Sequence, residues 1–326
     1  MNTSYIYSSS RIKTIEGELF NETDLEKVLT ANRGNDLVKA LKETAFSEYI
    51  TGDEISTISE ALEKNILVNK KLLTEIVPEP EMFDFIWIRY DIHNLRTILR
   101  AKRLKLDFPQ ISKSLSFLGK YEPERIWNGV GNGTLGDLEP EFKTVYEQAV
   151  KILDERGISS ADMVLDFGYF SIMQRLAEKT NNQLIKDLVK LQIDLHNLKT
   201  RSRLLRLDIA DEGKYFVLGG NFSFSEIETK EQFASKFLSL SGEQFWRQAL
   251  DSYENEGYST LLDARMDDYI LHWVQQYESE VFSFKTLLVY LLKCQSFVKN
   301  IQAIVVGKES GQNESVIRQQ LRNIYV

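Results

Sequence analysis

The feature that most constrains this fold is a segment of helical pattern that occurs three times at equal spacing. YDIHNLRTILRAK covers residues 90–102, QIDLHNLKTRSRL covers 192–204, and the weaker copy SFVKNIQAIVVGK covers 296–308. Their central asparagines are Asn94, Asn197 and Asn300, and both separations, 197 minus 94 and 300 minus 197, are 103 residues. Constant spacing predicts one structural unit used three times. We call these segments the signature helices.

Apolar residues recur at steps of three and four within each copy, as at Ile92, Leu95 and Leu99. This step predicts a helix with one apolar stripe and is incompatible with a strand. The same spacing and a content of helix formers extend through most of the chain, so we expect an all-α fold. Further helices are predicted over 37–45, 55–76, 141–156, 161–180, 230–240 and 242–255.

Two polar residues accompany the apolar stripe in the first two copies. Asp91 and Asn94, like Asp194 and Asn197, are three residues apart and therefore lie on one helix face. A semi-buried aspartate has to find hydrogen-bond donors, so we expect these residues to fix contacts between domains or with a partner. The third copy has Phe297 in place of the aspartate, and the aspartate contact is expected to be missing there.

The repeat also predicts domain boundaries. RIKTI at 11–15 resembles NLRTI at 94–98, so the N-terminus contains a fourth, partial copy of the signature helix. We therefore predict a first helical repeat over 1–109 with this extra helix, a second over 110–212 and a third over 213–326. Each signature helix is followed by a turn and a new helix. Capping-box spacing marks two of these starts, at Thr23 with Glu26 and at Ser225 with Glu228.

Composition excludes several classes of protein. A net charge of −8 argues against a general binder of polyanions. The single cysteine, Cys294, allows no disulfide or cysteine-based metal framework within one chain and fits a reducing cytoplasm. The N-terminal residues lack the pattern of a signal peptide, and the apolar runs are far shorter than the roughly 20 residues that cross a bilayer. We expect a cytoplasmic protein without a membrane span.

Motifs that carry chemistry are weak in this chain. The glycine cluster at 129–136 has nucleotide-fingerprint spacing but lacks the preceding strand, so we predict an interhelical loop ending at an Asp137 cap. Asp263, Asp267 and Asp268 lie within about one helical turn, and the pair Asp263 and Asp267, four residues apart, suits either two ligands of a cation or an exposed acidic face. No hydrolase, P-loop or zinc-ligand pattern occurs. We therefore expect no catalytic residue, cofactor or metal.

The signature helices are also locally basic. Arg96 and Arg100 lie in the first copy and Lys199 in the second. Three explanations stay open: ion pairs with carboxylates of a neighbouring domain, a groove for an acidic protein partner, and a helical scaffold that binds nucleic acid. Interleaved aromatic residues, which single-stranded nucleic acid would favour, are absent from these runs.

Three parts of the chain together resemble a known family. They are the N-terminal YIYSSSRIKTIEGELF, the repeated D-x-x-N-L-[KR] helices and the C-terminal NIQAIVVGKESGQNESVIRQQLRNIYV. This combination resembles the C-subunit family of archaeal and bacterial V/A-type ATPases, which is equivalent to the d subunit of eukaryotic V-ATPases, over nearly the full length. No single motif identifies the family.

The resemblance implies a fold, a function and a set of partners. It implies an all-helical, funnel-shaped socket of three pseudo-threefold domains without an active site. Such a protein sits on the cytoplasmic side of the proteolipid ring, receives the central shaft, and transmits torque between the ATP-hydrolysing head and the ion-carrying ring. We therefore expect shaft and ring proteins as partners, rather than nucleic acid.

Overall fold

The computed structural model describes residues 3–17, 21–207, 209, 214–224, 227–256 and 260–323. Over these ranges the regular structure is entirely helical, which confirms the predicted fold class. The α-helices are α1 (Ile6–Glu16), α2 (Glu22–Thr30), α3 (Asn35–Lys42), α4 (Thr57–Ile76), α5 (Asp84–Arg103), α6 (Phe108–Ile111), α7 (Pro123–Asn132), α8 (Pro140–Arg156), α9 (Ile158–Lys179), α10 (Gln183–Leu207), α11 (Lys230–Ser241), α12 (Glu243–Glu256), α13 (Thr260–Gln276), α14 (Phe284–Glu309) and α15 (Glu314–Gln319).

The three signature helices are the C-terminal parts of long helices, α5, α10 and α14. Their apolar stripes are buried, with Leu95, Leu198 and Ile301 fully inaccessible to solvent. The other helices predicted from spacing are found within about three residues of their expected ends, as is usual for boundaries read from periodicity. No helix among the described residues is both long enough and apolar enough to cross a bilayer.

Local chemistry at several helix starts differs from the prediction. Helix α2 is capped by Asn21 in a capping box with Asp24, two residues earlier than the predicted Thr23 pair. The second predicted box involves Ser225, which lies outside the described residues. A box is present at Thr229, whose side chain accepts from the backbone of Gln232 at the start of α11.

The glycine cluster is only partly a loop. Helix α7 continues through Gly129 and ends where Gly133 adopts a left-handed conformation, with φ of 73°. A single 3-10 turn then leads into α8, whose N-cap is Glu139. The predicted cap at Asp137 is therefore wrong, because that residue belongs to the 3-10 turn. A glycine in this conformation is the common way to end a helix.

The described chain divides into two compact units. The first combines Met1–Pro78, Leu198–Asp211 and Ser223–Val326, and the second combines Glu79–Asn197 with Glu212–Phe222. The division falls inside α10, directly after Asn197. The three repeats bounded at residues 109 and 212 stay a prediction.

The core of the first unit joins both ends of the chain. Helices α2, α3 and α4 contribute apolar side chains that pack with those of α14 and α15. The backbone N–H of Gly34 donates to Glu309 Oε1 at 2.8 Å, and Arg318 pairs with Glu26. Lys293 of α14 also pairs with Glu16 of α1 at 2.6 Å. Helix α1, which contains the predicted partial fourth copy, thus contacts α14 just before the third signature helix.

The second unit is built on the first signature helix. Helix α5 packs against α7 and α9, and α8 packs along α9. Gly168 of α9 lies so close to Val145 of α8 that a Cβ at this position would overlap the valine methyl groups. The N-terminal part of α10 completes the unit and brings the second repeat asparagine into it.

Candidate functional site: the repeated asparagine and aspartate contacts

Each repeat asparagine binds the backbone of one residue about 20 positions further along the chain. Asn94 Nδ2 donates to the carbonyl of Ser116 at 2.8 Å, and the Ser116 N–H donates to Asn94 Oδ1 at 2.8 Å. Asn197 makes the same pair with Val217 at 2.7 and 2.9 Å. Asn300 makes it with Arg322 at 2.9 and 2.7 Å. We call these three paired contacts the asparagine clamps.

The geometry explains why asparagine stands at these positions. A side-chain amide offers one donor and one acceptor side by side, which matches the N–H and C=O of a single residue. All three asparagines are buried, so their side-chain amides depend on these backbone partners rather than on water. Aspartate would lose the donor and glutamine would place the amide one bond further out. The clamp therefore needs the residue that the repeat contains.

The repeat aspartates bind the same loops a few residues later. Asp91 accepts from the backbone N–H of Lys120 at 2.8 Å and of Tyr121 at 3.1 Å. Asp194 accepts from the N–H of Asn221 at 2.8 Å and of Phe222 at 3.1 Å. Both carboxylates are fully buried. Backbone N–H groups thus satisfy each buried charge, and each loop is fixed at two points.

A glycine lies directly in front of each carboxylate. Gly119 and Gly220 approach Asp91 and Asp194 so closely that a Cβ at either position would overlap the carboxylate Oδ1. Neither aspartate can move aside, because it is buried and bonded to the next two amides. Both glycines are therefore required by close approach. We call residues 115–121 and 216–222 the first and second clamp loops.

The third copy uses a carboxylate from a different helix. Phe297, which replaces the aspartate, is buried with its ring 5.6 Å from that of Phe46. The backbone N–H of Asn323 instead donates to Asp268 Oδ1 of α13 at 2.7 Å. Burial raises the pKa of the Asp268 carboxyl above its ordinary value, although Arg265 and this N–H oppose the shift. The third signature helix lacks the aspartate, as expected, and a carboxylate of α13 makes a backbone contact of the same kind in its place.

The basic residues of the signature helices are paired with carboxylates. Arg96 contacts Asp166 at 2.5 Å and Asp162 at 3.2 Å, and Arg100 contacts Asp162 at 2.7 Å. These pairs connect α5 with α9. Of the three explanations for the basic residues, the pairs favour contact with neighbouring carboxylates over nucleic-acid binding.

The second signature helix makes an equivalent pair. Lys199, like Arg96, lies two residues after its repeat asparagine, and it contacts Asp263 of α13 at 2.8 Å. Asp263 occupies the position in its repeat that Asp166 occupies in the preceding one. An equivalent ion pair thus joins each of the first two signature helices to the helix that precedes the next signature helix.

Asp267, the other candidate cation ligand, is also held in ion pairs. Its carboxylate accepts from Lys299 at 2.7 Å and from Arg322 at 3.0 Å. Burial alone would raise the pKa of Asp267, but these two cations lower it below its ordinary value. Asp263, Asp267 and Asp268 thus form ion pairs with basic side chains of the protein instead of the exposed acidic face that the sequence suggested. In the described part of the chain no group of three or more acidic, histidine or cysteine side chains is placed to hold a metal ion.

Several residues of this site were not singled out from the sequence. Gly119 and Gly220 carry the contacts described above, and Gln174 donates to the carbonyl of Leu218 at 2.9 Å. The signal for the glycines is present, since FLGK and VLGG follow the first two signature helices at similar distances. No pattern pointed to Gln174, and the acidic cluster at 263–268 did not indicate the contact of Asp268 with Asn323, because both roles depend on tertiary packing.

These contacts define a class of protein. The chain is a helical-repeat protein in which buried polar residues of each long helix fix the segment that follows it. The family model described as ATP synthase (C/AC39) subunit matches residues 8–320. The chain therefore belongs to this family, and it is a subunit of an A/V-type ATP synthase or ATPase complex.

Curated relatives agree over nearly the whole length. The chain is 24% identical to the C subunit of the A-type ATP synthase of Methanococcoides burtonii, with 98% of this chain and 94% of that protein aligned. It is 21% identical to the C subunit of the A-type ATP synthase of Methanocaldococcus jannaschii, over 96% and 85%. It is also 21% identical to the C subunit of the V-type sodium ATPase of Enterococcus hirae, over 96% and 97%.

Proposed function

We propose that this chain is the central-stalk component that couples the shaft of a rotary A/V-type ATPase to its proteolipid ring. Membership of the C/AC39 family supports the complex, and the named relatives include both ATP synthases and a sodium ATPase. The coupling role is non-catalytic and peripheral, on the cytoplasmic face of the membrane. The division into repeats over 1–109, 110–212 and 213–326 is part of this proposal.

The observation that carries the proposal is the set of three asparagine clamps. A part that transmits torque has to resist deformation, and loops are ordinarily the softest parts of a helical protein. Here the segment after each signature helix is fixed by two hydrogen bonds to one asparagine, and in two copies by a buried aspartate as well. The bonds of the Asn197 clamp are buried and those of the other two are partly buried, so breaking them leaves polar groups with little water to replace the lost partner.

A second observation supports rigidity over catalysis. The carboxylates that sequence patterns made candidates for chemistry, Asp263 and Asp267, are each held by basic side chains from the signature helices. Carboxylates in such pairs hold helices together rather than await a substrate or a metal ion. This arrangement suits a coupling part whose interior has to keep its shape under load.

The test is a comparison of complexes with and without the chain. Vesicles carrying the complete ATPase should hydrolyse ATP and accumulate the transported ion. Complexes assembled without the chain should keep ATP hydrolysis by the head but lose ion uptake, and adding back purified chain should restore uptake. Loss of ATP hydrolysis in the complexes assembled without the chain would contradict a non-catalytic role. A chain that associates with neither shaft nor ring would contradict the coupling role.

A further inference from the structure

A cleft of about 340 Å³ lies in the first unit between α4 and α14, beside the C-terminal end of α1. Much of its wall is apolar, with Phe46, Leu72 and Phe297 among the side chains that line it. Since an apolar cavity of about 150 Å³ holds one benzene molecule, this cleft has room for a molecule of about 12 non-hydrogen atoms.

Buried polar side chains also line the cleft, and they hydrogen-bond to one another. The Tyr290 hydroxyl donates to Asn69 Oδ1 at 2.5 Å, and Asn69 Nδ2 donates to the backbone carbonyl of Asn65 at 2.9 Å. The thiol of Cys294 shares a hydrogen bond with the same hydroxyl. Each of these residues is at most 6% exposed. Polar groups that converge on an otherwise apolar cleft are typical of a site that orients a small ligand.

The polar groups of the cleft stay uncharged. Burial raises the pKa of the Tyr49 and Tyr290 hydroxyls, and it raises the pKa of the Cys294 thiol to about 12. The partly exposed Lys293 and Glu16, which also line the cleft, already neutralise each other in an ion pair of 2.6 Å. A charged ligand would lose its hydration here without gaining a free counter-charge, so the cleft favours a neutral molecule.

One polar contact remains open to such a molecule. An amide oxygen has two acceptor lone pairs, and Tyr290 takes one of those on Asn69 Oδ1. The other suits a hydroxyl donor. Entry is next to this group, because Val68 precedes Asn69 on α4, lines the cleft and is 43% exposed.

We infer that this cleft binds a small uncharged molecule with an apolar body and one hydroxyl group, whose proton is donated to Asn69. The bound molecule would contact α4 and α14 at once and so stabilise the core that joins the two ends of the chain. The inference does not depend on the proposed coupling function.

The probe for the experiment is 2-naphthol, which combines an apolar body of suitable size with one hydroxyl. Calorimetric titration of the full-length chain should show saturable binding of one molecule per chain, and the melting temperature should rise with the concentration of the probe. The anionic analogue 2-naphthoate should bind at least about tenfold more weakly, because its charge has to be desolvated.

Val68→Phe tests the location, because the larger side chain should occupy the entrance. It should weaken 2-naphthol binding at least about tenfold, by the loss of shape complementarity. The matched control is Val306→Phe, since Val306 is 62% exposed and lies in the same unit but outside the cleft. This control should bind 2-naphthol as the wild type does.

Asn69→Leu tests the hydrogen bond. It should weaken 2-naphthol binding about fivefold, the effect of one hydrogen bond. It should bind 2-methoxynaphthalene, which has no hydroxyl donor, as the wild type does, and this result separates a lost hydrogen bond from a distorted cleft. If Asn69→Leu fails to fold, Val68→Phe decides, because an exposed side chain contributes little to folding.

Absence of saturable 2-naphthol binding, equal affinity for 2-naphthoate, or undiminished binding by Val68→Phe would each overturn the inference. The same holds if the wild type binds no 2-naphthol while Val68→Phe weakens its association with purified shaft proteins. The cleft would then receive a side chain of a partner protein instead of a small molecule.

Discussion

At the scale of single residues, the clamps connect one side chain with the backbone of a distant residue. In Asn197→Ala, the N–H and C=O of the buried Val217 both lose their partner. We expect the free energy of unfolding to fall by about 2–3 kcal/mol, since each unsatisfied buried group costs about 1–3 kcal/mol. Urea unfolding of the purified chain measures this change.

The matched control is Asn181→Ala, because Asn181 is exposed and lies between α9 and α10. Its effect should stay within about 0.5 kcal/mol. Equal destabilisation by the two substitutions would show that the clamp at Val217 contributes nothing specific.

The glycines of the clamp loops give a second prediction at this scale. In Gly220→Ala, the added methyl group would overlap Asp194 Oδ1, and we expect a loss of about 1–3 kcal/mol from forced displacement. Gly131→Ala is the contrast, because Gly131 lies in α7 with open space around a Cβ. That substitution should stabilise the chain by up to about 1 kcal/mol, since alanine favours a helix over glycine. Thermal unfolding of both variants distinguishes them by sign.

At the scale of helices, α13 and α14 are joined by a carboxylate whose protonation can be controlled. Lys299 and Arg322 hold the pKa of Asp267 below its ordinary value of 3.8, against the effect of burial. A lowered folded-state pKa means that the unfolded chain binds more protons in this interval. The contribution of Asp267 is therefore complete above about pH 4–5 and is lost as the pH falls through the folded-state pKa.

Asp267→Asn tests this sign. At pH 7 the variant should be less stable than the wild type by about 2 kcal/mol, because charge-assisted hydrogen bonds are lost. The difference should shrink below pH 4, where the wild-type carboxyl becomes protonated too. Burial gives Asp268 a raised pKa and an opposite pH dependence, and because the Asp267 charge adds to that shift, the same comparison is repeated in an Asp268→Asn background. Denaturant unfolding from pH 3 to 7 measures it, with exposed Asp251→Asn as the control.

The elements of this fold were largely predictable because helical periodicity is a local property. The stripes of α5, α10 and α14 follow from steps of three and four, and they are buried as that pattern requires. Capping chemistry was less predictable, since Thr23 and Asn21 both suit an N-cap and only the chain path selects Asn21. The pairing of Asp194 with Asn221 or Asp268 with Asn323 depends on packing between distant segments, which one sequence does not encode locally.

At the scale of the whole molecule, hydrogen bonds of the first two signature helices cross the predicted boundaries between repeats. Asp91 and Asn94 belong to the predicted first repeat, yet the loop they hold lies in the predicted second one. Asn197 likewise lies in the second repeat and binds Val217 in the third. The first two clamps thus cross a predicted boundary and tie one repeat to the next. A displacement of either signature helix would therefore act directly on the clamp loop that its asparagine holds.

This linkage predicts how the assembled complex fails when a clamp is removed. Under the proposed coupling role, complexes containing Asn197→Ala should still hydrolyse ATP, because the head is unaltered, but should accumulate fewer ions per ATP, because a loosened coupling part yields under torque. The ratio of ion uptake to hydrolysis in the same vesicles measures this loss, and complexes with Asn181→Ala should keep the wild-type ratio. Assembly has to be verified by the amount of chain retained on the vesicles, since poor retention lowers uptake without slippage. An unchanged ratio in fully assembled complexes would contradict a role of the second clamp in the proposed coupling.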